Sequence, residues 1–348
     1  MQNILDFTRE ELGEWLENKG IRSFRANQIF KWLYLKLAQD FDEMTDLGKV
    51  LRATMAENFS IGSLTLENKE VSTDKTEKFL YRLEDGEYVE TVLIPEKDHF
   101  TLCVSSQVGC AMDCKFCLTA KNGIKRNLTM GEIVGQVRDA RRYVMDKGLE
   151  PLKLSNIVFM GMGEPLANYD NLLRSLKVIL DTDYGMKFAT RRVTVSTSGL
   201  VPKIIQLGQD SEVNLAISLN ATDDETRTKL MPINKKYSME AVLDACKKFT
   251  MKPRNKITFE YILMSGVNDT DENAKRLVKM LSPIRAKVNL IPFNEHPGAP
   301  FKRPSKERIN TFLKILLDSN MTAIVRKSKG DDISAACGQL KAKQTIQG

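Results

Sequence analysis

Apolar residues recur at helical spacing through the first sixty residues of the chain. Thr8 followed by Glu11 is typical of a capped helix start, and Leu12 and Leu16 share one face of the helix before Gly20 ends it. The same spacing recurs in the segments RANQIFKWLYLK and LGKVLRATMAENF. The pattern predicts three short helices that form a small helical accessory domain over residues 1–60.

The period changes between residues 61 and 98, where apolar and polar residues alternate. The alternating segments lie on both sides of Asp85-Gly86, which is a strong signal for a tight turn between antiparallel strands. The sequence therefore predicts a β-hairpin linker over residues 61–98 that leads into the main domain.

From residue 99 onward, short apolar segments alternate with longer segments of helical periodicity. The predicted strands are HFTLCVSS, LSNIVFMG, RRVTVSTS, VNLAISLN, KITFEYILM and AKVNLIPFN. The predicted helices include TMGEIVGQVRDARRYVMDKG, NLLRSLKVILD, SMEAVLDACKKF, TDENAKRLVKMLSPI and SKERINTFLKILLDS. Strands that alternate with helices pair in parallel through right-handed crossovers. Six such units predict an α/β fold, either a partial (β/α)6 barrel or an open sheet, with ligands at the carboxyl ends of the strands.

The composition is that of a globular protein with more than one module. The chain has 348 residues, of which 42% are hydrophobic and 28% are charged. Acidic residues occupy the amino-terminal stretch where a secretory signal would need an apolar segment. No stretch of the sequence supplies the roughly 18 uninterrupted apolar residues of a membrane span. We therefore expect a cytoplasmic protein that does not contact a membrane.

The charge is distributed unevenly along the chain. The formal net charge is +7, yet residues 1–100 carry 13 Lys and Arg against 20 Asp and Glu, whereas residues 101–348 carry 39 against 25. A basic excess of this size is consistent with a nucleic-acid partner, although a solvated surface carries one nearly as often. The main domain is therefore the part expected to meet an anionic partner.

Three of the six cysteines stand within eight residues, at Cys110, Cys114 and Cys117. In a reducing compartment such a cluster indicates metal binding or catalysis, not a disulfide framework. The C-x-x-x-C-x-x-C spacing follows a strand, and neither Cys103 nor a histidine stands at an ordinary zinc-finger spacing from it. An iron–sulfur cluster with one open iron fits this set best, with a zinc site and unliganded cysteines as the alternatives.

The cysteine motif, with Phe116 between its last two cysteines, resembles the signature of the radical S-adenosylmethionine (SAM) superfamily. Further segments resemble the RlmN family, the adenine carbon-2 methyltransferases of 23S ribosomal RNA and tRNA: CVSSQVGCAMDCKFCLTA, FMGMGEPLANYDN, VTVSTSGLVP, LAISLNA, KLMPIN, LIPFNEHP and DDISAACGQL. The resemblance implies that residues 99–348 form a radical SAM catalytic domain with a carboxyl-terminal catalytic-cysteine loop. It also implies that the accessory domain helps to bind RNA.

The resemblance implies a set of cofactor-binding residues. Cys110, Cys114 and Cys117 would ligate one four-iron, four-sulfur (4Fe-4S) cluster. Gly163, Glu164 and Pro165 would form the motif that hydrogen-bonds the SAM amino group, and later strand ends would add Ser196, Ser218, Leu219, Asn220 and Asn294. Two positions depart from the family pattern, which has His where Asn220 stands and Ser where Leu118 stands. An amide still donates a hydrogen bond, but it does so without the charge of an imidazolium.

The resemblance also implies a reaction in which two molecules of SAM are consumed per turnover. Carbon 2 of adenine is electron-poor and offers no lone pair to an electrophilic methyl group, whereas a carbon radical can add there, with the cofactor supplying the chemistry. Cys337 would take a methyl group from the first SAM, and the second SAM would provide the radical that activates it. Cys103 would resolve the resulting protein–RNA adduct by forming a disulfide with Cys337. The adduct must also lose a proton from carbon 2. The proton acceptor would be Glu90, which matches the family position given that role, or Cys103 itself.

The implied partners are 23S rRNA and tRNA, together with an electron donor such as flavodoxin or ferredoxin, and the chain would act as a monomer. Candidates for contacts to RNA phosphates are the basic pairs and triplet Lys125-Arg126, Arg191-Arg192, Lys302-Arg303 and Arg326-Lys327-Lys329. Two other functions stay open. One is that of the sister family, which methylates carbon 8 of the same ribosomal adenosine and confers antibiotic resistance. The other is a non-enzymatic RNA-binding protein with a structural zinc.

Overall fold

The computed structural model describes residues 1–121, 123–296 and 298–341. Two short strands of its amino-terminal part, β1 (Gln2–Asn3) and β2 (Phe59–Ser60), pair in parallel. Between them lie the three predicted helices, α1 (Arg9–Asn18), α2 (Arg25–Tyr34) and α3 (Lys49–Asn58). The side chains of Thr8 and Glu11 each accept a hydrogen bond from the backbone of the other, which confirms the predicted start of α1.

The next three strands are antiparallel: β3 (Thr65–Val71), β4 (Glu77–Arg82) and β5 (Tyr88–Pro95). The predicted turn at Asp85-Gly86 joins β4 and β5, and Gly86 has a φ of +84°, which glycine adopts at no steric cost. Strand β5 then pairs antiparallel with β6 (Phe100–Cys103), the first strand of the main domain. The strands of residues 61–98 therefore belong to the same ten-stranded sheet as those of the main domain.

The parallel part of this sheet begins with β6 and has seven strands. A separate small hairpin, β7 (Gln107–Gly109) and β8 (Ile124–Asn127), follows β6 and brackets the short helix α4 (Leu118–Lys121). The remaining parallel strands are β9 (Leu154–Phe159), β10 (Val193–Thr197), β11 (Asn214–Ser218), β12 (Ile257–Leu263), β13 (Ala286–Pro292) and β14 (Ala323–Val325). All six predicted strands are present. The seventh, β14, is three residues long and exposes Ile324, so its apolar pattern is too short to recognise.

The larger helices of the main domain are α5 (Met130–Asp146), α6 (Tyr169–Leu180), α7 (Val201–Asp210), α8 (Asp224–Leu230), α9 (Met239–Lys248), α10 (Asp271–Leu281) and α11 (Lys306–Asp318). The parallel strands lie in the core, where Val195, Ile217 and Phe259 are fully buried. Cys246 on α9 is also buried, as its helical face predicts. No helix in the described ranges is long and apolar enough to cross a bilayer.

The amino-terminal helices are fixed to the main domain through α5. Arg138 of this helix is buried, and its guanidinium donates hydrogen bonds to the carbonyl oxygens of Leu33 (3.2 Å) and Ala38. The amide of Gly131 donates to the carboxylate of Asp6 at 2.6 Å. Burying a cation costs free energy unless it is paired, so breaking the hydrogen bonds of Arg138 would be costly. These bonds therefore hold α2 and the segment after it against α5.

Candidate active site

The carboxyl ends of the parallel strands open into one cavity. Its lining includes most of the residues expected from the sequence: Cys103, Cys110, Cys114, Cys117, Gly163, Glu164, Pro165, Ser196, Ser218, Asn220, Asn294 and Cys337. Five of the six cysteines therefore meet at one place, although Cys103 and Cys337 are far apart in sequence. The cavity lies where the fold predicts a ligand.

The cluster loop, residues 110–121 and 123 between β7 and β8, is held by its backbone. Gly109 has a φ of +78°, and a Cβ built on it would lie 2.0 Å from the carbonyl oxygen of Gly123. The amide of Cys110 donates to that same oxygen at 2.8 Å, and the amide of Cys117 donates to the carbonyl of Cys114 at 3.0 Å. These backbone contacts hold the loop whose three cysteines line the cavity.

The chemistry of this loop fits a cationic iron–sulfur cluster. Burial raises the pKa of Cys110 to about 12, opposed by a backbone hydrogen bond at Met112 and aided by the nearby Glu164 and Cys117. Burial also raises the pKa of Cys114. Buried thiolates need a positive partner, and soft sulfur donors are the ligands that iron–sulfur clusters use. Among the described residues, no three Cys, His, Asp or Glu side chains converge as ligands of a single metal ion would. The three cysteines that line the cavity therefore fit an iron–sulfur cluster by the chemistry of their sulfur donors.

The Gly-Glu-Pro motif follows β9 in a tight turn. Gly163 has a φ of +100°, and a Cβ there would lie 2.6 Å from the side chain of Gln107. The Glu164 carboxylate accepts hydrogen bonds from the amides of Ser198 (2.7 Å) and Leu166 (3.0 Å). Burial raises the pKa of Glu164 against these bonds. The side chain therefore links the ends of β9 and β10 while the motif lines the cavity.

Asn220 and Leu219 differ in where they lie. Asn220 lines the cavity with a φ of +59°, and its amide oxygen accepts from the amide of Ile262 at 2.9 Å while its nitrogen contacts the sulfur of Met231 at 3.3 Å. Leu219 packs in the hydrophobic core instead, and its carbonyl accepts from the Arg227 guanidinium at 3.2 Å. In the described part of the chain, the cavity lining includes Ser218 and Asn220 but not Leu219.

Cys103 and Cys337 come from distant parts of the chain and face the same cavity. Cys103 ends β6 and is half-buried, whereas Cys337 is exposed, and both are free thiols. Desolvation by the surrounding protein, together with the nearby Cys337, raises the pKa of Cys103. Asn294 donates a hydrogen bond from its amide to the carbonyl of Cys337 at 3.3 Å. Asn294 thus helps to hold the loop that carries the second thiol.

Glu90 lies in β5 and is buried. One carboxylate oxygen accepts from the amide of Lys341 at 2.7 Å, and the other lies 3.5 Å from the ammonium of Lys78. Glu90 is absent from the cavity lining among the described residues. The structure therefore places this carboxylate beside the carboxyl-terminal segment and away from the cavity surface.

Glu260 is a cavity residue that the sequence analysis missed. It lies in the middle of β12, and its Oε1 is buried without a hydrogen-bond partner in the described structure. Burial raises its pKa, and the nearby Arg326, which also lines the cavity, opposes that shift. A single carboxylate in the buried strand segment ITFEYIL was a signal that could have identified it, because burying a carboxylate costs free energy unless it is paired.

The basic candidates fall into two groups. Arg326, Lys327 and Lys329 line the cavity. The others lie elsewhere: Lys125-Arg126 on β8 form ion pairs with Glu87, Asp85 and Glu132, Arg191-Arg192 precede the amino end of β10, and Lys302 pairs with Glu295 at 3.4 Å. Only the first group is placed beside the cysteines.

The comparisons with known proteins agree with this geometry. The model of the radical SAM superfamily matches residues 104–278, which contain the cluster loop and most of the parallel sheet. The fold and the cysteine loop together define a protein of the radical SAM superfamily. A second model, of the ribosomal RNA large subunit methyltransferase N-terminal domain, matches residues 2–61.

Curated relatives and a solved structure show which family of the radical SAM superfamily the chain resembles. The chain is 56% identical to the dual-specificity RNA methyltransferase RlmN of Desulfosudis oleivorans, over 98% of this chain and 91% of the relative. It is 54% identical to the protein of the same name from Geobacter sulfurreducens, over 99% and 93%. The crystal structure of a radical SAM methyltransferase from Sphaerobacter thermophilus superposes with a TM-score of 0.91 at 45% identity, covering 99% of this chain and 100% of the other. The chain belongs to the RlmN family.

Proposed function

We propose that this protein is a radical SAM methyltransferase that methylates carbon 2 of adenosine in 23S rRNA and in tRNA. The observation that carries the proposal is the meeting of five cysteines in one cavity. Three of them form the motif of a cluster site, and the other two, Cys103 and Cys337, come from opposite ends of the domain. Ordinary methyl transfer needs no such pair of outlying thiols, whereas a covalent adduct that must be resolved needs both.

Each residue has a role in this proposal. Cys110, Cys114 and Cys117 would hold the 4Fe-4S cluster. When bound, the cluster would supply the electron that cleaves SAM. The Gly163-Glu164-Pro165 turn, with Ser196, Ser218, Asn220 and Asn294, would bind and orient SAM. Cys337 would carry the methyl group on its sulfur, and Cys103 would form the disulfide that frees the RNA. Because Cys103 lines the cavity and Glu90 does not, Cys103 is the better candidate for the proton acceptor.

The substrate and partners follow from the same proposal. To reach carbon 2, the protein must unstack the adenosine, at a cost of roughly a few kcal/mol. Arg326, Lys327 and Lys329, which line the cavity, would hold the phosphates of the RNA. The proposal includes action as a monomer in the cytoplasm with flavodoxin or ferredoxin as the electron donor.

The test is to map methylated adenosines by mass spectrometry in RNA from cells that lack the protein. We expect loss of 2-methyladenosine from 23S rRNA and tRNA fragments, with recovery from a copy of the native gene but not from a Cys337→Ala copy. Loss of 8-methyladenosine instead would assign the sister function. Unchanged RNA, or a purified protein with one zinc and no iron in place of about four irons, would overturn the proposal.

A further inference from the structure

Cys337 is carried by a segment that we call the strap, residues 326–341, which runs from the end of β14 and lines much of the cavity. One side of the strap contacts the cluster loop. The amide of Leu118 donates to the carbonyl of Gly338 at 2.7 Å, and the hydroxyl of Thr119 donates to the carbonyl of Leu340 at 2.7 Å. The strap is therefore attached directly to the cluster loop.

The other side of the strap is attached to a buried ion pair of the antiparallel strands. Lys78 of β4 donates from its ammonium to the carbonyl of Ile333 at 2.7 Å, and Glu90 of β5 accepts from the amide of Lys341 at 2.7 Å. The two side chains lie 3.5 Å apart and each is 8% exposed. Ile333 and Lys341 stand four residues before and four residues after Cys337. The pair thus fixes the strap on both sides of the thiol.

A second attachment lies nearer the start of the strap. The carboxylate of Asp332 accepts from the hydroxyl of Ser72 at 2.5 Å and from the amide of Thr73 at 3.0 Å. The amide of Gly330 donates to the carboxylate of Asp74 at 3.3 Å. These partners belong to the turn between β3 and β4, so the same antiparallel strands hold the strap at several points.

We propose that Glu90 is a positioning residue that, paired with Lys78, holds the strap at Ile333 and Lys341 so that Cys337 faces the cavity. Its carboxylate binds the backbone of the strap and lies outside the cavity lining of the described chain, so Glu90 acts through Cys337 and not on the substrate. This inference rests on the proposed function, because it assigns to Cys337 the role of methyl carrier. Since reacting groups must be aligned closely, a shift of about 1 Å in Cys337 is expected to slow turnover by about a hundredfold.

The test compares Glu90→Gln with Glu90→Ala. Glutamine keeps an oxygen that accepts the Lys341 amide but takes up no proton at neutral pH, whereas alanine removes the acceptor. We expect the Gln variant to retain turnover within about tenfold and the Ala variant to lose about a hundredfold. Glu70→Gln is the matched control, because it removes the other carboxylate that pairs with Lys78, at 3.0 Å, without touching the strap. It should turn over like the native protein.

Hydrogen exchange of the strap, measured on the full chain without its cluster, gives a readout that does not depend on turnover. Peptides covering residues 330–341 should exchange faster in Glu90→Ala than in Glu90→Gln and the native protein. Asp332→Ala is the substitute if Glu90→Ala fails to fold. It loosens the strap through a different contact, so it should also give faster exchange and slower turnover.

A different pattern in the two Glu90 variants would contradict the positioning role. If Glu90→Gln and Glu90→Ala are equally inactive, show native exchange and accumulate an RNA–protein adduct, Glu90 is the proton acceptor and the positioning role is wrong. If the native protein produces no methylated adenosine, the proposed function fails, whereas the exchange of residues 330–341 still reports whether Glu90 holds the strap.

Discussion

Two segments bring cysteines to the same cavity, and they are held in different ways. The cluster loop is held by its backbone, through the β7–β8 hairpin, the turn at Gly109 and the bond from Cys110 to Gly123. The strap is held on one face by side chains of distant strands, such as Glu90, which stands 251 residues before its partner Lys341. The first segment is therefore rigid by local geometry, whereas the second can be loosened one contact at a time without unfolding the barrel.

The largest effect is expected from removing a proposed cluster ligand in the backbone-held loop. Cys114→Ala should leave the purified protein with little iron and no reductive cleavage of SAM, because three thiolates are needed to hold the cluster. Iron analysis and detection of 5′-deoxyadenosine measure both. Cys246→Ala serves as the control, since Cys246 is a buried core residue outside the cavity lining, and it should keep its iron. Native iron content in Cys114→Ala would show that this cysteine is not a ligand.

A smaller effect is expected on stability when a side chain is added at the turn that begins the cluster loop. Gly109→Ala combines a positive φ with a Cβ 2.0 Å from a carbonyl oxygen, and it should lower the free energy of unfolding by about 1–3 kcal/mol. Denaturation of the metal-free chain measures this value. Gly86→Ala also has a positive φ but nothing within 4 Å of the added Cβ, so its loss should be smaller. Equal losses would mean that the close contact at Gly109 does not matter.

The smallest effect concerns the strap and depends on pH. The hydroxyl of Ser72, followed by the amide of Thr73, holds the pKa of Asp332 below its ordinary value of 3.8. A carboxyl with a lowered pKa stabilises the fold above its unfolded pKa and loses that contribution as the pH falls through its folded pKa. Asp332→Asn should therefore lower the denaturation midpoint at pH 6, and the difference should shrink as the pH falls below 3.8. A difference that is the same at both ends of this range would assign the effect to packing.

Local sequence patterns predicted the regular elements and the end of the sheet at which the cavity lies. The capped start of α1, the turn at Asp85-Gly86 and the six parallel strands depend on neighbouring residues, and all are present. The cavity at the strand ends follows from the parallel topology. These features are readable because each is fixed within a few residues of the chain.

The features that the sequence did not reveal are long-range contacts. The continuation of the sheet from β5 into β6, the short strand β14 and the attachment of the strap to β4 and β5 each join segments whose pairing has no local signal. Leu219 shows the limit of a motif: Ser218 and Asn220 on either side line the cavity, while Leu219 itself packs in the core. Resemblance identifies a segment, but the direction of each side chain is decided by the fold.

The ten-stranded sheet has two edges, β14 and β3, and the strap begins at the first of them. Because Asp332 of the strap accepts hydrogen bonds from Ser72 and Thr73 in the turn after β3, the strap joins one edge of the sheet to the other. Removing everything after Val325 would therefore do more than delete a thiol. It would leave the cavity without one of its walls and open a gap through which water reaches the interior.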